Sequence, residues 1–220
     1  MPPDEPILRT DWVVANLGAI GQRLGEHLVM TAVAVVIGFA ISFALSLLIW
    51  RYRLFYTPVL AVSGILYTIP SLALFFLIIP IFGFTLLSAE IALVSYTFLI
   101  LVRNTVAGLD AVPDEIREAA TGMGFTRWQR LWRVELPMAV PIMVAGIRIA
   151  TVTTVGLVTV TALIGQGGLG YFIVTLGIRT FFPTAILVGS ALSIVLAVIA
   201  DIGLLQLERR LTPWARARSS

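Results

Sequence analysis

Few side chains in this sequence could do chemistry, and their spacing argues against catalysis. His27 is the only histidine, and there is no cysteine. Composition therefore excludes a histidine-based metal cluster, a thiolate site and a disulfide. No nucleophile beside a base and no carboxylate cluster is legible. Neither an enzyme site nor a metal site is expected. His27 reads as an interfacial residue at a helix entrance. Gly165, Gly167 and Gly170 spell G-x-G-x-x-G, but that pattern cradles a dinucleotide only between a strand and a helix. Here a long apolar run precedes it, so Gly165, Gly167, Gly168 and Gly170 read as a close-packing or gating turn. Arg148 and Asp201 each interrupt an apolar run, and such charges are costly unless paired or wet. Arg148 follows Pro137 by eleven residues and Asp201 precedes Glu208 by seven. Their depths from one face therefore match within about a turn, and a pair between the two runs is expected. Snorkelling of Arg148, or a bond to Glu135 or Asp110, are the alternatives.

The elements that must hold these residues are membrane helices. Hydrophobic residues make up 59% and charged residues 12%, against about 25% charged in soluble domains. Mean hydropathy is +0.99. Uncharged stretches cover Leu28 to Trp50 and Leu54 to Ala89, and further spans cover about Ile91 to Leu109, Ala139 to Ile164 and Pro183 to Leu207. These runs are too long and too uniform for barrel strands of about 10 alternating residues. The fold class is all-α membrane. No basic, cleavable leader is read at the N-terminus, which carries Asp4, Glu5 and Asp11.

The stretch from Leu54 to Ala89 is too long for one straight crossing of a ~30 Å apolar core. Pro58, Pro70 and Pro80 interrupt it, so it crosses once with a kink or crosses twice. Arginine placement favours one crossing. All fifteen basic residues are Arg, which with a pI near 9.8 reads as a topology signal, not a nucleic-acid face. With five helices, eleven arginines fall inside and Arg9, Arg23 and Arg179 outside. Residues 1–27 are then an external segment, 28–211 the transmembrane domain and 212–220 a cytoplasmic tail. At Pro70 the missing N–H frees a carbonyl, which Thr68 and Ser71 hydroxyls could satisfy beside an aqueous path. A plain kink is the simpler alternative. Tyr67, Phe75, Phe76 and Tyr96 could meet a passing cation or simply pack. Glu90 reads as the outer boundary of the third span.

The loop from Ala111 to Pro137 carries the most information. Pro113 suits a first helical position, Asp114 and Glu115 suit its dipole, and Gly124 suits a left-handed cap. Ile116, Ala119, Ala120 and Met123 share one apolar stripe, and small residues on the exposed face permit close approach by another protein. Thr126 and Gln129 have capping-box spacing for a second short helix. Trp128, Leu131 and Trp132 line one side of it and Arg127, Arg130 and Arg133 another, with Leu136-Pro137 ending it.

Glu118-Ala119-Ala120, Gly124 and Val134-x-Leu136-Pro137 resemble the EAA loop of binding-protein-dependent ABC importer permeases, with Val134 in place of the commoner Ile. Tyr67-Thr-Ile-Pro-Ser-Leu-Ala-Leu74, Arg103-Asn-Thr105, Ala145-Gly-Ile-Arg-Ile-Ala150 and Ala162-Leu-Ile-Gly-Gln-Gly-Gly-Leu-Gly170 are similar to permeases of osmoprotectant importers. The resemblance implies a type I importer fold like that of methionine importers, in a bacterial inner membrane. It implies a coupling helix that docks on an ATPase subunit dimer, where ATP and Mg are bound, with no cofactor on this chain. It also implies an extracytoplasmic binding protein and a second permease, identical or homologous. The implied cargo is glycine betaine, choline or a related quaternary amine, with methionine or another amino acid as the alternative. An autonomous channel or secondary transporter is more distant, because neither needs an EAA loop.

Overall fold

The computed structural model describes residues 6–212. Asp4, Glu5, Arg216 and Arg218 lie outside that range. The described chain is helical. α1 (Thr10–Ala15) and α2 (Leu17–Arg51) are followed by a 3-10 turn at Arg53–Phe55, α3 (Tyr56–Thr68) and α4 (Ser71–Phe82). Then come α5 (Leu86–Asp110), α6 (Asp114–Gly122), α7 (Arg127–Arg130) and α8 (Leu136–Val160). A π-type segment joins α7 to α8, a second covers Tyr171–Ile178, and α9 (Pro183–Leu211) closes the chain.

α2 begins at Leu17, not at Leu28. Hydropathy marks what lies in lipid, not where a helix starts. Arg23 and Glu26, three apart, pair at 2.8 Å and carry the helix through its polar end. The residues before it pack on the same end of the molecule. Trp12 sets its ring edge-on to Phe172 and Phe182, and the Arg9 amide donates to Thr184.

α5 is the central helix, and small residues bring its neighbours close. A Cβ at Gly38 of α2 would lie 2.0 Å from the Thr97 hydroxyl. A Cβ at Gly146 of α8 would lie 2.5 Å from Asn104 Cβ, and one at Gly108 would lie 2.9 Å from the Ala139 carbonyl. Each contact holds two backbones at a distance that no larger residue allows.

α3 and α4 are bent by 99° at Ile69-Pro70. Whether they cross once or twice follows from one ion pair. Arg53, just before α3, lies 2.9 Å from Asp110 at the far end of α5. Since α5 crosses once, Arg53 and Asp110 share a side only if α3 and α4 together also cross once. The described residues thus form five candidate crossings, four continuous and one broken. A Tyr52→Cys probe is clean because the chain has no cysteine of its own. We expect it to react with an impermeant maleimide only in inverted vesicles. Labelling in intact cells would overturn this topology.

Leu136-Pro137 does not end the second loop helix as expected. The helix runs on from Arg127 to Ile164. Pro137 lacks an N–H and its ring crowds the preceding turn. The wider π turn at Leu131–Glu135 lies where that crowding falls.

Candidate coupling loop and translocation elements

The loop helix α6 is built as its sequence dictates. Asp114 and Glu115 occupy the first turn. At its end the Phe125 amide donates to the Ala120 carbonyl and the Gly124 amide to Thr121. That double closure requires a left-handed residue, and Gly124 has φ 82°. Thr126 and Gln129 form a complete capping box on α7.

The expected apolar stripe divides. Ala120 is 1% exposed and Ile116 half-buried, whereas Met123 is 68% exposed and Ala119 is also exposed. α6 stops at Gly122, so Met123 leaves the helical phase that placed it on the stripe. Glu118, Ala119, Gly122 and Gly124 therefore offer the free surface of small residues, and Ala120 seats the helix on its own chain. Val134, Leu136 and Pro137 also face inward to varying degrees. Leu136 packs with Leu109, Leu131, Ala139 and Met143. The supposed aromatic side of α7 is likewise split. Leu131 is buried, but Trp128 and Trp132 are half-exposed against Trp50 and Phe43.

Glu135, considered above only as an alternative partner for Arg148, instead holds this loop to the spans. Glu135 is 1% exposed. It accepts from Trp50 Nε1 of α2 at 2.8 Å and from Arg130 Nε at 2.6 Å. Arg130 reaches on to the Thr121 hydroxyl of α6 at 3.1 Å. Arg117 donates to the Leu109 carbonyl at the end of α5. Movement of α6 is thereby linked to α2, α5 and α8 through directional bonds. A lone Glu before Leu-Pro carries no signal of this, because its partner on α2 is 85 residues away.

At the break between α3 and α4, Thr68 returns its hydroxyl to the Ile65 carbonyl at 2.8 Å. Ile69 is extended, as a residue before proline must be. Its carbonyl is taken by the Tyr96 hydroxyl of α5, not by Ser71. Tyr67 sets its ring edge-on to Tyr96. Pro70 and Thr68 are exposed and Ser71 half-buried. Of the four aromatics considered for cation contact, Phe75 is fully buried in the core and is removed from that set. Glu90 lies about one turn inside the N-terminal end of α5, with one carboxylate oxygen buried and unpartnered among the described residues.

The glycine turn is gripped by α2. The Gly168 amide donates to Glu26 at 3.0 Å and the Leu169 amide to His27 Nδ1 at 3.2 Å. His27 Nε2 lies 3.0 Å from the Val155 carbonyl. Nδ1 accepts, so Nε2 bears the hydrogen and the ring is neutral. His27 is therefore a fully buried clamp, ten residues inside α2 and not at the entrance of its helix. Gly168 has φ 81°. A Cβ at Gly170 would lie 2.1 Å from the Thr159 carbonyl, and one at Gly167 would lie 2.1 Å from Glu26 Oε2. Gly165 closes the 3-10 turn Thr161–Ile164. Helical segments flank the turn on both sides, so it is not a dinucleotide loop.

Arg148 of α8 meets Asp201 of α9 through one guanidinium edge, Nε donating to Oδ1 at 2.9 Å and Nη2 to Oδ2 at 3.0 Å. Glu208, two turns along α9, accepts a longer third contact at 3.5 Å. The bidentate geometry is the stronger form of this pair. Arg148→Ala and Asp201→Ala should each lower assembled yield. The double variant should be milder than the sum, because each single change strands the other charge. Strict additivity of yields would remove the coupling.

The fold defines a class: a multi-pass α-helical membrane protein whose loop helix α6 is bonded to the ends of its spans. The family described as "Binding-protein-dependent transport system inner membrane component" matches residues 34–213, and the chain belongs to it. It is 39% identical to the osmoprotectant import permease protein OsmW of Salmonella typhimurium, over 92% of this chain and 96% of that one. It is 35% identical to the glycine betaine/carnitine/choline transport system permease protein OpuCB of Bacillus subtilis, over 90% and 91%. Among solved structures, an inward-facing MetNI methionine ABC transporter chain aligns with TM-score 0.80 and 26% identity, covering 88% of this chain and 96% of that one. A chain of an amino acid ABC transporter with histidines aligns at TM-score 0.79 and 18% identity, over 92% and 99%.

Proposed function

We propose that this chain forms the translocation pathway of an ATP-driven importer for an osmoprotectant of the glycine betaine or choline type. The carrying observation is the end-to-end similarity to permeases named for these substrates. In this reading ATP and Mg bind a separate ATPase subunit dimer, and this chain binds no cofactor. Closure of that dimer moves α6 through the exposed face around Glu118, Ala119 and Gly124. Arg130, Glu135 and Trp50 relay the movement to α2 and α8. An extracytoplasmic binding protein delivers the substrate, and a second permease, identical or homologous, completes the membrane core. The broken span at Thr68, Pro70 and Ser71 lines the path. The turn from Gly165 to Gly170 acts as its outer closure, held by Glu26 and His27.

The test is uptake by proteoliposomes holding the whole assembly, with radiolabelled glycine betaine, choline, carnitine and methionine. ATP-dependent uptake of a quaternary amine is expected. Uptake of methionine alone would favour the amino-acid reading, which the fold likeness to MetNI keeps in view. Flux without ATPase subunits would point instead to an autonomous channel.

A further inference from the structure

A polar cavity lies away from both the glycine turn and the broken span. It lies at the cytoplasmic ends of α2 and α5, beside the loop, with a volume of about 340 Å³. Arg51, Arg53, Arg117, Arg127 and Arg130 converge on it. Only two carboxylates, Asp110 and Glu135, line it with them. Asp110 is engaged by Arg53 and Glu135 by Arg130. Arg51 rests on the Tyr52 ring at 4.7 Å, and neither it nor Arg127 has a carboxylate within ion-pair distance among the described residues. Arg117 pairs with Asp114 at 3.0 Å from outside the cavity and donates to the Leu109 carbonyl, which leaves only its buried Nε without an acceptor. The cavity therefore holds surplus positive charge and unused donors in a fork geometry that suits phosphate oxygens.

Its surroundings indicate which phosphate. Trp50 lines the cavity and stacks near the half-exposed Trp128, with Trp132 one turn on. Tryptophan in such a belt marks the headgroup level of a bilayer. Along the same α2–α8 seam, toward the membrane, runs an apolar groove of about 430 Å³ walled by Phe39, Phe43, Trp132, Leu136 and Val140. Glu135 lines the charged cavity and the next residue, Leu136, lines the groove. A basic chamber opening beside an apolar channel matches one amphipathic molecule. We infer that this seam binds an anionic phospholipid, with its phosphate in the arginine cavity and an acyl chain along the groove. The lipid would sit against the Glu135 junction that ties the coupling loop to the spans.

The experiment uses the full chain purified with its ATPase subunits. Native mass spectrometry reads retention of phosphatidylglycerol and of phosphatidylcholine with the same acyl chains. The wild type is expected to retain phosphatidylglycerol preferentially. Each surface arginine contributes about fivefold to anionic-lipid affinity. Arg51→Gln with Arg127→Gln should thus weaken phosphatidylglycerol binding about 25-fold, with phosphatidylcholine unchanged. Arg179→Gln, on the opposite side of the membrane, should leave both unchanged. Equal retention of the two lipids by the wild type would overturn the proposal, as would a double variant that binds like the wild type. Inorganic phosphate that displaces phosphatidylglycerol at comparable concentration would assign the cavity to a soluble anion instead. Retention seen only in permease stripped of its ATPase would assign it to the partner subunit. Thermal melting of each variant separates lost binding from lost folding.

Discussion

Ala119→Trp is expected to abolish ATP-driven uptake, by at least about tenfold, while the permease still reaches the membrane at the wild-type level. Ala119 is exposed on α6 between Glu118 and the buried Ala120. An indole there obstructs any partner that approaches the small-residue face. Forcing such bulk into a close-packed contact costs about 1–3 kcal/mol, and about 1.4 kcal/mol is a factor of ten in an equilibrium. The informative control is Ala120→Trp. Ala120 is 1% exposed, so its variant should lose folded protein before it loses coupling. Uptake, ATPase activity and monodisperse yield are measured side by side. If Ala119→Trp transports normally at normal yield, α6 does not dock through this face.

Glu135→Ala should cause the largest loss of stability of any single polar change in the loop. Its carboxylate is the acceptor for both Trp50 and Arg130, and it is almost wholly enclosed. Removing one partner of a buried ion pair costs about 3–5 kcal/mol, because the remaining charge is left without compensation. Glu135→Gln keeps an acceptor for Trp50 but not a charge for Arg130, so it should fall between wild type and alanine. Trp50→Phe removes one hydrogen bond to the carboxylate but leaves the Arg130 pair intact, so it should cost less, about 1.5–3 kcal/mol. This order, read from thermal melting in detergent, checks the junction. A Glu135→Ala protein that melts like the wild type would show that the relay is not structural.

Several features were legible without coordinates because they depend on neighbours in sequence. Span locations followed from apolar run length, and the Pro70 break from the missing amide. The ends of α6 and the start of α7 followed from Pro113, Gly124 and the Thr126–Gln129 spacing, all local rules, whereas the expected stop at Leu136-Pro137 did not hold. Even the Arg148–Asp201 partnership was accessible, since intramembrane charges are few and depth along a helix can be counted. What failed was rotational phase. Ala119 and Ala120 are adjacent in an apolar stripe, yet one faces out and the other in. Sequence periodicity does not fix where a helix ends or which neighbour covers it.

Composition and order alone determined the membrane class, the helical spans and the loop that carries the family's motif. These are set by the energetics of single segments in lipid, where each helix satisfies its own backbone. Only the tertiary structure decided the single broken crossing, through Arg53 meeting Asp110. It alone also placed His27 and Glu26 on the glycine turn, Tyr96 on the Ile69 carbonyl and Glu135 between α2 and the loop. Each of these joins residues far apart in the chain, and all but the exposed Arg53–Asp110 pair answer a polar group that packing wholly or partly encloses. Which distant partner answers it depends on how the helices are rotated against one another. That rotation is set by the close approaches at Gly38, Gly108 and Gly146, which no segment specifies by itself.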